Sequence, residues 1–202
     1  MKFVIMTKST FFVEEDKILA ALFEHGMDNL HLYKYESSPM YAERLLSLLP
    51  DDSYDKITVH DHFYLKEEYG LAGIHLDSVD ASVPDGYRGR RGRSCNDLRL
   101  LREAKKNANY VFLHNVFDGI SDSSEKASFS MAQLEKAADD GLIDKKVYAM
   151  GGMSLANVRM ARELGFGGVV IRGDIWNRFD IHNQTDYKAV LSHFDKLRKA
   201  TD

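Results

Sequence analysis

Ala149-Met150-Gly151-Gly152-Met153-Ser154 is the most informative segment of the chain: an apolar run leads into two glycines and then a serine able to cap a following helix. Glycine lets the backbone approach an anion closely, and the free N–H groups at the start of a helix favour negative charge. An ordinary strand-to-helix turn would use the same residue types. The stretch therefore predicts a strand followed by a turn that suits a phosphate group.

A second turn of this kind, Ile171-Arg172-Gly173-Asp174-Ile175, lies one strand–helix unit later. The loops after the last two strands of a (β/α)8 barrel lie side by side and commonly bind phosphate. An open nucleotide-binding sheet instead places its glycines after the first strand, where this chain has Thr7-Lys8-Ser9-Thr10. The two glycine turns thus favour a closed barrel over the alternative, an open doubly wound sheet.

Short apolar runs recur with helical patterns between them, which predicts parallel strands joined by crossover helices. Seven runs are predicted strands: residues 3–6, 29–33, 56–60, 73–76, 110–113, 147–150 and 168–171. An eighth strand at residues 90–94 is required by the spacing more than by its composition. Helical spacing of apolar residues occurs at 15–25, 97–106, 131–137, 155–161 and 187–197. We predict an α/β fold, a single (β/α)8 TIM barrel domain over residues 1–202.

The composition excludes several classes of protein. A net charge of -4 and a pI near 6.1 argue against nucleic acid as a partner, because neutralising phosphates requires a basic face. No run approaches the roughly 18 apolar residues of a membrane span, so no membrane partner is expected. The lone Cys95 excludes an intramolecular disulfide and fits a reducing compartment. We therefore expect a cytoplasmic protein, and the residues do not decide between a monomer and a homodimer.

Acidic and histidine residues follow the third and fourth predicted strands, at His60-Asp61-His62, His75 and Asp77-Ser78-Val79-Asp80. Adjacent strand ends bring these loops together in a barrel. Oxygen ligands such as Asp61 and Asp80 suit Mg²⁺ bound jointly with a substrate phosphate, whereas a histidine pair indicates a transition metal. The alternative is that these side chains are simply solvated.

Other candidates follow the remaining strands. Arg93 and Ser94 end the basic run that begins at Arg88 and could bind an anionic substrate. His114 and Asn115 follow the sixth strand, where a histidine could move protons because its unperturbed pKa is near neutral. Tyr33, Tyr35 and Trp176 could line either a pocket or the barrel wall.

With these residues located, the chain resembles the thiamine phosphate synthase/TenI family, which are barrels of thiamin biosynthesis. The similarity spans nearly the whole chain. Its best-matching segments are Gly73-Ile74-His75-Leu76 with Asp80, Gly92-Arg93-Ser94 and Ala149-Met150-Gly151-Gly152-Met153. The order and spacing of the segments make the resemblance specific.

The synthase branch of this family joins a pyrimidine diphosphate to a thiazole phosphate, with Mg²⁺, and releases pyrophosphate. For this branch the resemblance implies thiazole-phosphate binding at Gly151, Gly152 and the Gly173 backbone, with Ser94 facing the diphosphate. It also implies Mg²⁺ binding by Asp61 and Asp80.

The chain departs from the synthase pattern where that branch binds pyrophosphate. After strand two, where the branch carries two cations, this chain has His31-Leu32-Tyr33-Lys34-Tyr35, so Lys34 would have to replace them. In residues 118–129, predicted as a mobile loop, Asp122 stands where the branch has a lysine, and Lys126 lies nearby.

The TenI branch catalyses an aromatising proton shift on a thiazole carboxylate phosphate and needs a general acid or base but no pyrophosphate site. Its histidine after strand six corresponds to His114, displaced by one residue, in His114-Asn115-Val116-Phe117. We therefore predict TenI-like chemistry on a phosphorylated small molecule. Synthase activity, a non-catalytic phosphate-binding barrel and a sugar-phosphate isomerase are the alternatives.

Overall fold

A computed structural model describes residues 1–120, 122, 124–180 and 187–202 of the chain; Ser121 and Ser123, in the predicted 118–129 loop, lie outside the described residues. Eight strands alternate with helices, except that residues 77–90 join the fourth strand to the fifth without a helix. The strands are β1 (Lys2–Met6), β2 (Leu30–Leu32), β3 (Ile57–Val59), β4 (Gly73–Leu76), β5 (Arg91–Cys95), β6 (Tyr110–Leu113), β7 (Val147–Ala149) and β8 (Gly168–Ile171). Each strand pairs in parallel with its sequence neighbour, and β8 pairs with β1 to close the barrel. The predicted (β/α)8 barrel is confirmed, and the open sheet is wrong.

The described helices are α1 (Glu15–Glu24), α2 (Pro39–Ser47), α3 (Tyr64–Tyr69), α4 (Leu101–Lys106), α5 (Met131–Asp139), α6 (Val158–Glu163), α7 (Gly173–Trp176) and α8 (Lys188–Thr201). The helix predicted over 97–106 begins instead as a 3₁₀ turn, Leu98–Leu100, because the Asp97 side chain accepts the Arg99 N–H and tightens the first turn. A further 3₁₀ turn, Asp51–Lys56, leads into β3. Helices α2, α3 and α7 were not predicted individually.

The weak eighth strand is β5, and its composition has a steric cause. A Cβ atom on Gly92 would lie 2.4 Å from the Tyr110 ring and 2.5 Å from Nδ1 of His75. These two large side chains fill the barrel at this level, so no apolar side chain fits at residue 92. The strand therefore lacks the apolar signal that marks the other seven.

The core has two parts, one between the strands and the surrounding helices and one inside the barrel. The apolar residues inside the barrel are Val4, Met6, Tyr110, Phe112, Tyr148, Met150 and Val170, with Tyr33 packed against them. On the side formed by β2, β3 and β4 the buried side chains are instead polar: His31, Thr58, His60 and His75. Trp176 is buried in the wall, where its Nε1–H donates to the Met6 carbonyl at 2.7 Å. No described helix has the length and apolar character to cross a membrane.

Candidate active site

A cavity of about 340 Å³ opens at the carboxyl ends of the strands. In (β/α)8 barrels this is the end that carries the active site. Eight of the predicted site residues line it: Tyr33, Tyr35, Ser94, His114, Asn115, Gly151, Gly152 and Gly173. The structure thus brings both glycine turns and the predicted histidine to one cavity.

The Gly151-Gly152 turn packs directly on the segment that follows β6. Both glycines adopt left-handed backbone conformations, with φ of 91° at Gly151 and 62° at Gly152. A Cβ on Gly151 would lie 2.6 Å from the Asn115 Cα, and one on Gly152 would lie 2.2 Å from the Asp118 carbonyl oxygen. Both positions of the turn therefore require glycine, because of the left-handed backbone and because no Cβ fits there.

Ser154 does not cap the next helix as the sequence predicts. Helix α6 begins only at Val158, and the side chain of Asn157 organises the turn instead. Its Oδ1 accepts the Ser154 N–H at 2.8 Å, and its Nδ2 donates to the Gly152 carbonyl at 2.9 Å. An asparagine reaches both partners because its amide is donor and acceptor at once, whereas a serine hydroxyl is shorter.

Two of the cations predicted to bind substrate lie outside the cavity wall. Lys34 is 2% exposed, and its Nζ lies 2.6 Å from Oε1 of Glu15 and 3.1 Å from the Thr10 carbonyl. It forms a buried ion pair with α1, so it does not replace the missing synthase cations. Lys126 is exposed beside Asp118, with 3.7 Å between the charged atoms.

Arg93, which was also predicted to bind substrate, is likewise absent from the described cavity wall. Its Nη1 donates to the backbone carbonyls of Ser78, Val79 and Ala81 at 2.7–3.1 Å, so the side chain orders the chain after β4. Among the described residues of the cavity wall, the cation is Arg172. The sequence pattern places Arg172 beside Gly173 but does not by itself indicate a role for it.

Two carboxylates line the cavity, Asp77 and Glu125, whereas neither Asp61 nor Asp80 is among the described residues of its wall. Oδ2 of Asp61 is buried without a hydrogen-bond partner in the described part of the chain, which would suit a cation. The pair predicted for Mg²⁺ is nevertheless not brought together at the cavity. The Mg²⁺ site stays a prediction, and we derive no step through it.

Three histidines form a cluster inside the barrel, below the cavity. One ring nitrogen from each of His31, His60 and His75 lies within 4.8 Å of the others, which is close enough to consider a metal ion. However, Nδ1 of His31 and Nε2 of His60 are hydrogen-bonded at 2.9 Å, and the His60 and His75 rings stack with centroids 4.3 Å apart. Stacked rings do not direct their lone pairs at one point. The geometry therefore fits a hydrogen-bonded cluster better than a transition-metal site.

The cluster connects to the cavity through two of its members. Nδ1 of His60 lies 2.9 Å from Oδ1 of Asp77, and Nε2 of His75 lies 3.0 Å from Oγ of Ser94. Oγ of Ser94 also lies 2.7 Å from Nε2 of His114. Asp77 and His114, two of the polar groups that line the cavity, are thus both held from inside the barrel.

His114 is neutral at physiological pH. Burial lowers its pKa from 6.5 to about 4; nearby His60 lowers it further, and Asp77 acts in the opposite direction. Burial likewise holds the pKa values of His31 and His75 well below 6.5. The structure thus keeps three neutral imidazoles at or below the cavity.

These neutral histidines should make the fold sensitive to mild acid. Below pH 6.5 the unfolded chain binds protons at His31, His75 and His114 that the folded chain does not bind, so the free energy of unfolding falls as pH falls. Each histidine that stays neutral contributes about 1.4 kcal/mol per pH unit. Urea unfolding from about pH 7.5 to about pH 5 measures the slope. A stability independent of pH in this window would contradict the assignment.

Comparison with known proteins agrees with this architecture. A family model described as thiamine monophosphate synthase matches residues 41–175, well over half of the chain, and no curated protein matches. A solved structure of a thiamine phosphate pyrophosphorylase from Bacteroides thetaiotaomicron is 42% identical, with a TM-score of 0.89 over 100% of this chain and 98% of that chain.

Two more distant structures share the fold alone. A thiamine phosphate pyrophosphorylase from Pyrococcus furiosus is 19% identical, with a TM-score of 0.73 over 99% of this chain and 95% of that one. A 3-hexulose-6-phosphate synthase is 14% identical, with a TM-score of 0.63 over the whole of both chains. With its closed barrel, its paired glycine turns and a family match over residues 41–175, the chain belongs to the thiamine monophosphate synthase/TenI family.

Proposed function

We propose that this barrel binds a thiazole carboxylate phosphate and catalyses its aromatisation by a proton shift, as TenI-like tautomerases do. The observation that carries the proposal is the meeting of neutral His114, Asp77 and Arg172 in a cavity that also contains both glycine turns. The turns supply backbone N–H groups for the phosphate, and His114 and Asp77 are the groups that handle the proton.

The charge of the cavity supports this substrate over a diphosphate. A synthase must neutralise a diphosphate as well as a phosphate, which calls for several cations. Here Lys34 is committed to Glu15 and Arg93 to backbone carbonyls, so Arg172 is the cation of the described cavity wall. One guanidinium with the glycine turns suits a ligand that carries one phosphate and one carboxylate.

The proton shift needs no added group. A base takes a proton from one carbon of the non-aromatic ring system and a proton is returned to another carbon, so the atoms of substrate and product are the same. We assign Asp77 as the group that accepts the proton. Its Oδ1 lies 2.9 Å from Nδ1 of His60, and the N–H at that nitrogen orients the carboxylate in the cavity. His114 stays neutral over the pH range above about 4 and so is present as a hydrogen-bonding imidazole.

Synthase activity is the second candidate, favoured by the 42% identity to a thiamine phosphate pyrophosphorylase of known structure. In that reaction Asp61 and Asp80 would be the carboxylates offered to Mg²⁺. A non-catalytic phosphate binder is the third, since Asp61 and Asp80 do not converge with His114 on the cavity. The presence of Asp77 beside His114 is the reason to prefer an enzyme.

Two assays on the purified protein separate these functions. With the thiazole carboxylate phosphate as substrate, we expect aromatisation that falls about 100-fold or more in a His114→Asn variant. With the pyrimidine diphosphate, the thiazole phosphate and Mg²⁺, we expect no thiamin phosphate at an enzyme-like rate; its formation would assign the synthase reaction instead.

Binding is measured separately by calorimetry with thiazole phosphate. We expect Arg172→Met to weaken binding about tenfold, which is the loss of one charge-assisted contact. Arg178→Met is the matched control, because Arg178 pairs with Asp174 and is absent from the described cavity wall. Failure of the wild-type protein to bind thiazole phosphate would reject all three family-based functions.

A further inference from the structure

Ser94 occupies an unusual position between two imidazoles. Its Oγ lies 3.0 Å from Nε2 of His75 and 2.7 Å from Nε2 of His114. His75 is completely buried, whereas His114 lines the cavity. Both hydrogen bonds are thus made by the one hydroxyl that joins the barrel interior to the cavity.

A hydroxyl has one proton, which decides how these bonds can form. Ser94 donates to one histidine and must accept from the other, so one Nε2 is bare and the other carries a proton. Because each neutral imidazole carries a single N–H, the tautomer of His114 is tied to that of His75.

The surroundings of His75 decide the direction. Its Nδ1 is buried and has no hydrogen-bond partner in the described part of the chain. This nitrogen packs against Gly92, near the Tyr110 ring. A proton on Nδ1 would be a buried donor without an acceptor, whereas a proton on Nε2 donates to Ser94. Ser94 then donates its own proton to Nε2 of His114, so each of the two hydrogen bonds of Ser94 joins one donor to one acceptor.

We propose that Ser94 is a positioning residue which, with His75 behind it, fixes His114 as the tautomer protonated at Nδ1. This rests on the proposed function in that His114 acts on the bound ligand. It sharpens the division of labour there: His114 offers a neutral N–H that stabilises negative charge developing on the substrate, and Asp77 takes the proton from carbon and returns it. The synthase role predicted for Ser94, facing a diphosphate, is then not needed to explain its place in the cavity.

Nitrogen-15 NMR on histidine-labelled protein without ligand tests the proposal, because protonated and bare ring nitrogens have well-separated shifts. His114 is assigned by its loss in His114→Asn. In the wild-type chain we expect Nε2 of His114 to be bare and Nδ1 protonated. In Ser94→Ala we expect the two His114 shifts to move toward each other as both tautomers become populated, and in Ser94→Thr, which keeps a hydroxyl, we expect the wild-type pattern.

Two results would overturn the proposal: a proton on Nε2 of His114 in the wild-type protein, or unchanged His114 shifts in Ser94→Ala. His75→Phe, which removes the far partner and leaves Ser94 in place, gives the same test should Ser94→Ala fold poorly; it too should release the His114 tautomer. Because this readout needs no ligand, a failed tautomerase assay with the expected shifts rejects the proposed function alone. If the assay succeeds, Ser94→Ala should lower kcat by about tenfold or more with KM little changed.

Discussion

Replacing Lys34 by methionine is expected to lower the free energy of unfolding by about 3–5 kcal/mol, because it leaves the Glu15 carboxylate buried without its partner. Glu15 and Lys34 are each 2% exposed, and their charged atoms lie 2.6 Å apart. Burial raises the pKa of Glu15 despite the nearby ammonium, so the desolvation cost is already high in the native pair. Urea unfolding at neutral pH measures the loss.

The pH dependence of this variant identifies the cause. Without Lys34, the folded pKa of Glu15 lies further above the unfolded value of 4.5, since the attraction that lowers it is gone. A group with a raised folded pKa is most favourable to the fold when protonated, so the deficit should shrink below pH 4.5 and grow as pH rises.

Two control variants complete this test. Lys34→Met combined with Glu15→Leu should recover much of the stability, because no charge is left buried. Lys17→Met, which removes the exposed partner of Glu14, should have little effect. Affinity for thiazole phosphate should survive Lys34→Met; a loss of binding in a folded Lys34→Met protein would instead restore Lys34 as a substrate ligand.

Replacing Gly151 by alanine is expected to damage the site and the fold together. The new Cβ would lie 2.6 Å from the Cα and 2.7 Å from the backbone nitrogen of Asn115, and φ at this position is 91°. The left-handed conformation alone costs about 1–2 kcal/mol, and the clash requires the segment after β6 to move away from the turn. We expect the affinity for thiazole phosphate to fall about tenfold or more, because the phosphate-binding backbone moves with it.

Gly141→Ala is the matched control for this prediction. Gly141 also has a left-handed backbone, with φ of 67°, but a Cβ there would meet no atom within 4 Å. This variant should show the conformational cost alone, with unchanged ligand affinity by calorimetry. If Gly151→Ala behaved like Gly141→Ala in both stability and binding, the close packing of the glycine turn on Asn115 would have no role in the site.

Several features of the site were predictable because they depend on short segments. The glycines of the two phosphate turns mark backbone conformations that other residues adopt poorly. Their location after the last two predicted strands favours a barrel. His114 was located by its place directly after a strong apolar strand. The resemblance to the thiamine phosphate synthase/TenI family used the same segments, and the family match confirms it.

Three of the predicted side chains are absent from the described cavity wall for one shared reason, which is the two-residue period of a strand. Lys34, Asp61 and Arg93 each lie one position away from a residue that faces the interior, namely Tyr33, His60 and Ser94. Successive side chains point to opposite faces, so a shift of one residue moves a charge from the cavity to the outside of the barrel. His75 and Asp77 follow the same rule and both face inward, as do Phe112 and His114.

The barrel and the end of the barrel at which the glycine turns lie could therefore be predicted from the sequence alone. These follow from local periodicity and backbone preference, which neighbouring residues carry. The side-chain contacts between separate elements depend on the tertiary structure: Lys34 pairs with Glu15, Arg93 donates to three carbonyls, and Ser94 lies between two histidines. Partners on separate strands are set by register and strand tilt around the closed barrel, and a linear pattern of residues does not contain that geometry.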